Sequence, residues 1–92
     1  MEIGRIVVPE FEALVQRERV EQDDKWGVQN HTPYKWMTIL TEELGELAQT
    51  ILDLTKEADG SNRLTMVTES ELIHVASVCK AMWESGKRQG WL

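Results

Sequence analysis

From Thr32 to Lys56 the chain carries one unbroken helical repeat. Trp36, Leu40, Leu44, Leu47, Ile51 and Leu54 return every three or four residues, and no proline follows Pro33. This spacing predicts a helix over residues 33–56, roughly 24 residues and so roughly 36 Å long. Thr32 offers a capping hydroxyl, and Pro33 a first-turn residue whose missing N–H costs nothing there. Such a helix commits a large part of a 92-residue chain to one rod. Its apolar stripe must then be covered by the remaining segments or by a second molecule.

The rest of the sequence reads as two further helices. Pro9 is placed for a first turn, and Phe11, Leu14, Val15 and Val20 follow at mostly helical intervals. They predict a helix over about residues 9–26 that stops before Gly27, with Glu18, Glu21, Gln22 and Asp23 on its outer side. GVQNHTP, residues 27–33, is a loop, and ADGSNR, residues 58–63, is a linker rich in breakers. Thr68 and Glu71 have the spacing of a capping box, which predicts a third helix over about residues 68–85 closing at Gly86. KRQGWL then reads as an irregular tail in which Trp91 can dock against the remainder. No segment sustains the alternation of a strand, so the expected class is all-α: one domain over residues 1–92 with three main helices, 86–92 being irregular. The last two helices form an antiparallel hairpin. A chain this short buries only roughly 60–65% of its unfolded surface. Pairing with further copies, as a homodimer or homotetramer built on a four-helix bundle, is the expected way to close the core.

Charge and composition exclude other classes. Sixteen acidic residues against ten basic ones leave a formal net charge of −6, which disfavours a nucleic-acid polymer or an anionic membrane as partner. No apolar run approaches the ~20 residues needed to span a bilayer. MEIGRIVVPEFE lacks the basic start and long apolar stretch of a signal peptide. The lone Cys79 offers no disulfide within the chain and suits a reducing compartment, so a cytoplasmic location is expected.

Some of the acidic excess falls where packing calls for apolar side chains. On a helical wheel with Trp36 at zero, Glu43 lands at about 340°, inside the apolar arc; Glu46 falls at its edge, about 280°, and Glu42 nearer water, about 240°. The third helix repeats this: Val67, Val75, Val78 and Met82 form an arc with Glu71 in its middle and His74 one turn on. Buried carboxylates neutralise or find a cation. Two helices with acidic residues in their packing stripes therefore point to a shared site for a divalent ion, and oxygen ligands favour Mg2+ or Mn2+. Each residue also has an ordinary alternative. An E-x-x-E pair is commonly a solvated face, Glu71 can serve the capping box, and His74 can be a packing histidine.

Together these residues resemble a known family. HTPYKWMTILTEELGELAQTIL and ESELIHVASVCKAMWES are similar to the MazG-like all-alpha nucleotide pyrophosphohydrolases, whose signature is E-x-x-E on one helix and E-x-x-D on the next. Here the two halves are Glu43-Leu44-Gly45-Glu46 and Glu71-Leu72-Ile73-His74. Lys25-Trp26-Gly27 and His31-Thr32-Pro33 add to the likeness, which spans about residues 23–85, and the histidine motif resembles the dCTP pyrophosphatase branch. The resemblance implies a helical homo-oligomer that converts a nucleoside triphosphate to the monophosphate and pyrophosphate with Mg2+, Mn2+ being possible. It makes Glu43, Glu46, Glu71 and His74 the metal ligands, and Glu43 or Glu42 the residue that orients or deprotonates the attacking water. Trp26 and His31 match base-contacting positions, and Lys35 is a candidate phosphate contact. Trp26 could equally be a helix-end core residue, and Lys35 could be a surface ion pair. His74 stands where the family has Asp; imidazole is a poor Mg2+ ligand and brings no negative charge. Asp53, on the side of Glu46, is one source of the missing charge. The same departure supports an alternative, a catalytically quiet helical oligomer that binds nucleotide or a protein as a regulator.

Overall fold

The computed structural model describes residues 9–57 and 63–92, with side chains described for residues 10–53 and 68–92. Nearly all of them fall in three helices, α1 (Pro9–Trp26), α2 (Pro33–Glu57) and α3 (Arg63–Gln89), and no strand occurs among the described residues. The expected 58–62 part of the linker lies outside the described residues. Within the described residues, no helix is long and apolar enough to cross a membrane.

Local chemistry accounts for most boundaries. The Thr32 hydroxyl accepts the Lys35 amide at 3.3 Å, and its carbonyl accepts the Trp36 amide at 3.0 Å, which caps α2 as expected. Gly27 ends α1 with φ +76°, a left-handed conformation suited to glycine, and its amide donates to the Asp23 carbonyl at 2.8 Å.

At α3 the structure corrects the sequence reading at both ends. The helix begins at Arg63, so Thr68 lies inside it and caps nothing. Its Oγ1 is buried without a hydrogen-bond partner. Neither proline nor glycine separates Arg63 from Thr68, and a Thr-x-x-Glu spacing looks the same within a helix as at its start. At the other end the helix runs through Gly86, so residues 87–89 of the expected tail are helical. The stop is Gly90, at φ +83°, and the amides of Gly90, Trp91 and Leu92 all turn back to the Gly86 carbonyl, at 2.9, 3.1 and 3.2 Å. Gly86 has a packing role instead: a Cβ there would come within 2.6 Å of Leu92 and 3.2 Å of Trp91. Trp91 packs against the core.

α3 packs against both other helices. Against α2 it runs antiparallel, with Trp36 seated beside Val78 and Ala81, and Ile39, Leu40, Met82 and Trp91 around them. Ser77, Ala81 and Ser85, one per turn, are all buried and small enough to let a neighbouring helix come close. α1 meets α3 through an arginine network beside the buried Val15. The guanidinium of Arg19, only 6% exposed, donates to Glu84 at 2.8 Å, Gln22 at 2.9 Å and Asp23 at 3.1 Å. Gln22, Asp23 and Glu18 are therefore half-buried rather than on an outer side, whereas Phe11 and Val20 are exposed. The first helix has few apolar residues, so an arginine sets its packing face. Arg88 and Gln89 tie down the loop between α1 and α2 by donating to Asn30, to the Gln29 carbonyl and to the His31 carbonyl.

Because Arg19 is so enclosed, Glu84→Ala is expected to destabilise the fold by about 1–3 kcal/mol, as a buried charge loses a partner while Gln22 and Asp23 remain. Denaturant unfolding of the two proteins measures the difference.

Candidate metal centre

The core contacts themselves place the candidate ligands. Glu43 lies two turns after Trp36 on α2, and Glu71 and His74 lie two turns and one turn before Val78 on α3. In an antiparallel pair the helix faces that bring Trp36 onto Val78 also bring these residues together. One potential ligand atom from each of Glu43, Glu71 and His74 lies within 4.8 Å of the others. The His74 ring has a carboxylate on either side, with Nδ1 3.9 Å from Glu71 Oε2 and Nε2 3.8 Å from Glu18 Oε1 of α1.

Electrostatics mark this as a place in want of positive charge. Burial, first, and the negative charge of Glu46, next, raise the Glu43 pKa above its ordinary value; Glu71 and Glu18 add to this, and His74 opposes it. Glu71 Oε2 is buried with no hydrogen-bond partner. With Thr68 inside the helix, no capping role competes for Glu71.

The remaining sequence candidates are divided. Glu46 is exposed and stands outside the three-residue cluster, although its charge reaches Glu43. Glu42 is exposed. So is Asp53, which accepts a hydrogen bond from Gln49 at 2.8 Å. Trp26 is 62% exposed, which removes the helix-end core alternative. Instead it shares an open hollow of about 280 Å³ with Glu43, His74, Glu18 and Lys25, whose ammonium lies 4.8 Å from the indole centroid. His31 and Lys35 do not line that hollow. The His31 ring packs edge-on against Trp36, with centroids 4.9 Å apart. Burial and the neighbouring Lys35 charge lower its pKa. Lys35 is exposed and has no ion-pair partner among the described residues.

Glu18 and Lys25 are the site residues that the sequence reading missed. The signal for Glu18 is position alone, four residues after Leu14 and three after Val15; Lys25 entered only as part of Lys25-Trp26-Gly27, with no role given to it. Comparison with family models, with curated proteins and with solved structures finds no match for this chain.

The raised Glu43 pKa has a consequence for stability. The native state holds the Glu43 proton more tightly than the unfolded chain does. The Glu43 contribution to stability is therefore greatest below the ordinary carboxylate range and is lost as pH rises through the Glu43 titration. In a chelating buffer, Glu43→Gln should raise the melting temperature at pH 7 by roughly 2–4 °C. That gain should vanish by about pH 3, well below the ordinary Glu pKa, where the wild-type carboxyl is protonated in both states. Thermal melts at the two pH values check the sign.

Proposed function

We propose that this chain is a metal-dependent nucleotide pyrophosphohydrolase that converts an NTP or dNTP to the monophosphate and pyrophosphate. The convergence of Glu43, Glu71 and His74 in one cluster is the observation that carries the reading. The donor set fits a divalent cation: an orphaned carboxylate oxygen on Glu71 and a carboxyl on Glu43 whose ionised form is disfavoured both gain from a positive charge. Two carboxylates and an imidazole suit Mn2+ better than Mg2+. A dication at this site would supply Lewis-acid polarisation of phosphate oxygens and a more acidic water.

The chain's own groups would divide the remaining work. Glu43 lies in the cluster and Glu42 in solvent, so the proton released by the attacking water falls to the Glu43 carboxylate. Water oxygen bonds to the α-phosphorus, the bond from that phosphorus to the bridging oxygen breaks, and pyrophosphate leaves. Trp26 offers an exposed indole face for a base in the hollow that Glu43 and His74 line, and Lys25 offers a cation beside it. His31 supports this region indirectly, through Trp36.

The assembly belongs to the same proposal. Tyr34, Met37, Thr41, Leu44 and Ala48 recur at three- and four-residue intervals along α2, and all are exposed. Thr41 turns its hydroxyl to the Met37 carbonyl at 2.7 Å, which satisfies its polar atom within the helix. A second hairpin laid along this stripe gives a four-helix bundle and encloses what the small core of one chain leaves in water. Sedimentation should find a homodimer or larger homo-oligomer, and Leu44→Lys should shift it toward monomer.

A second reading draws on the same geometry. Among the described residues two carboxylates join His74 in the ligand cluster and Glu46 stands apart, which favours a regulator that binds nucleotide without turning it over. Incubation with a panel of NTPs and dNTPs, in Mg2+ and then Mn2+, separates the two. The enzyme reading predicts pyrophosphate release with at least one member, faster in Mn2+, and reduced at least ~100-fold by Glu71→Gln. Nucleotide binding with no release across the panel would leave the regulator.

A further inference from the structure

Glu18 has no part in the reaction described so far, yet it faces His74 from a different helix. Its Oε1 is 3.8 Å from Nε2, while Glu71 takes the opposite edge of the ring, with Oε2 3.9 Å from Nδ1. Glu18 is half-buried and lines the hollow that also contains Glu43, His74 and Trp26. The next residue, Arg19, is clamped to Glu84, so the turn of α1 that carries Glu18 is fixed against α3.

An imidazole binds metal through the nitrogen that carries no proton, and a carboxylate beside the other nitrogen holds the proton there. We propose that Glu18 is the positioning residue of His74: from 3.8 Å, beyond hydrogen-bond length, its charge favours the ring proton on Nε2 and leaves the Nδ1 lone pair to the Glu43–Glu71 side. The inference rests on the proposed metal centre and deepens it. It makes α1 a working part of the site and names the class of ion, a first-row transition-metal dication that accepts nitrogen as well as oxygen, with Mn2+ as the probe. Glu18 acts through His74; it is not itself a ligand.

Two measurements test this at neutral pH. The first is the pair of imidazole nitrogen shifts of His74 in the metal-free protein. The second is calorimetric Mn2+ affinity in the wild type, Glu18→Gln, His74→Asp and the double variant. The neutral ring should carry its proton on Nε2 in the wild type and lose that bias in Glu18→Gln. Glu18→Gln should weaken Mn2+ binding about tenfold when His74 is present. In the His74→Asp background, where only the loss of a nearby charge remains, the change should be about threefold or less. Equal losses in both backgrounds would show that Glu18 acts on the ion by charge or as a ligand and would overturn the positioning role. A wild-type ring protonated on Nδ1 would do the same. Failure of the wild type to bind Mn2+ at all would instead overturn the metal centre itself.

Discussion

The antiparallel seating of Trp36 against Val78 and Ala81 governs the rest of the molecule. It sets the register of α2 on α3, and two turns along α2 that register leaves Glu43 facing Glu71 and His74. An apolar layer and a charged layer thus share one pair of helix faces. The apolar layer can hold the charged one together in spite of its repulsion, because the helices transmit position along their length. The cost is visible in the raised Glu43 pKa and the orphaned Glu71 oxygen. A cation would offset both, which is why the proposed metal centre is placed here.

Around this pair, α1 works as a polar clasp. Its attachment to α3 depends on Arg19 reaching Glu84. That attachment brings Glu18 to His74 and Trp26 to the edge of the same hollow. The floor of the candidate site is therefore built by the hairpin and one wall by α1. The stripe of α2 that carries Met37 and Leu44 stays exposed.

Much of this was legible in the residues themselves. The α2 repeat and its Thr32-Pro33 start gave that helix almost to the residue, and Glu43 and Glu71 stood out because they interrupt apolar arcs. The α3 ends were misread because local signals have more than one use. Thr68 with Glu71 copies a capping spacing in mid-helix, and Gly86 serves close packing while Gly90 serves the turn. The α1 contribution was hidden for a different reason. Where an arginine network sets the packing face, apolar periodicity carries little information, so the inward position of Glu18 could not be seen before the helix was docked. Glu46 illustrates the converse, since motif spacing placed it with the ligands and the helix turns it to solvent.

The central claim is that Glu43, Glu71 and His74 form one cation site and are not three among many acidic and basic surface groups. Paramagnetic broadening by Mn2+, followed residue by residue in the NMR spectrum, addresses this directly. At substoichiometric Mn2+ the account predicts that signals of Glu43, Glu71 and His74 broaden first, with Glu18 close behind. Broadening spread evenly over exposed carboxylates such as Glu10, Glu12 and Asp24, with no preference for the cluster, would contradict it.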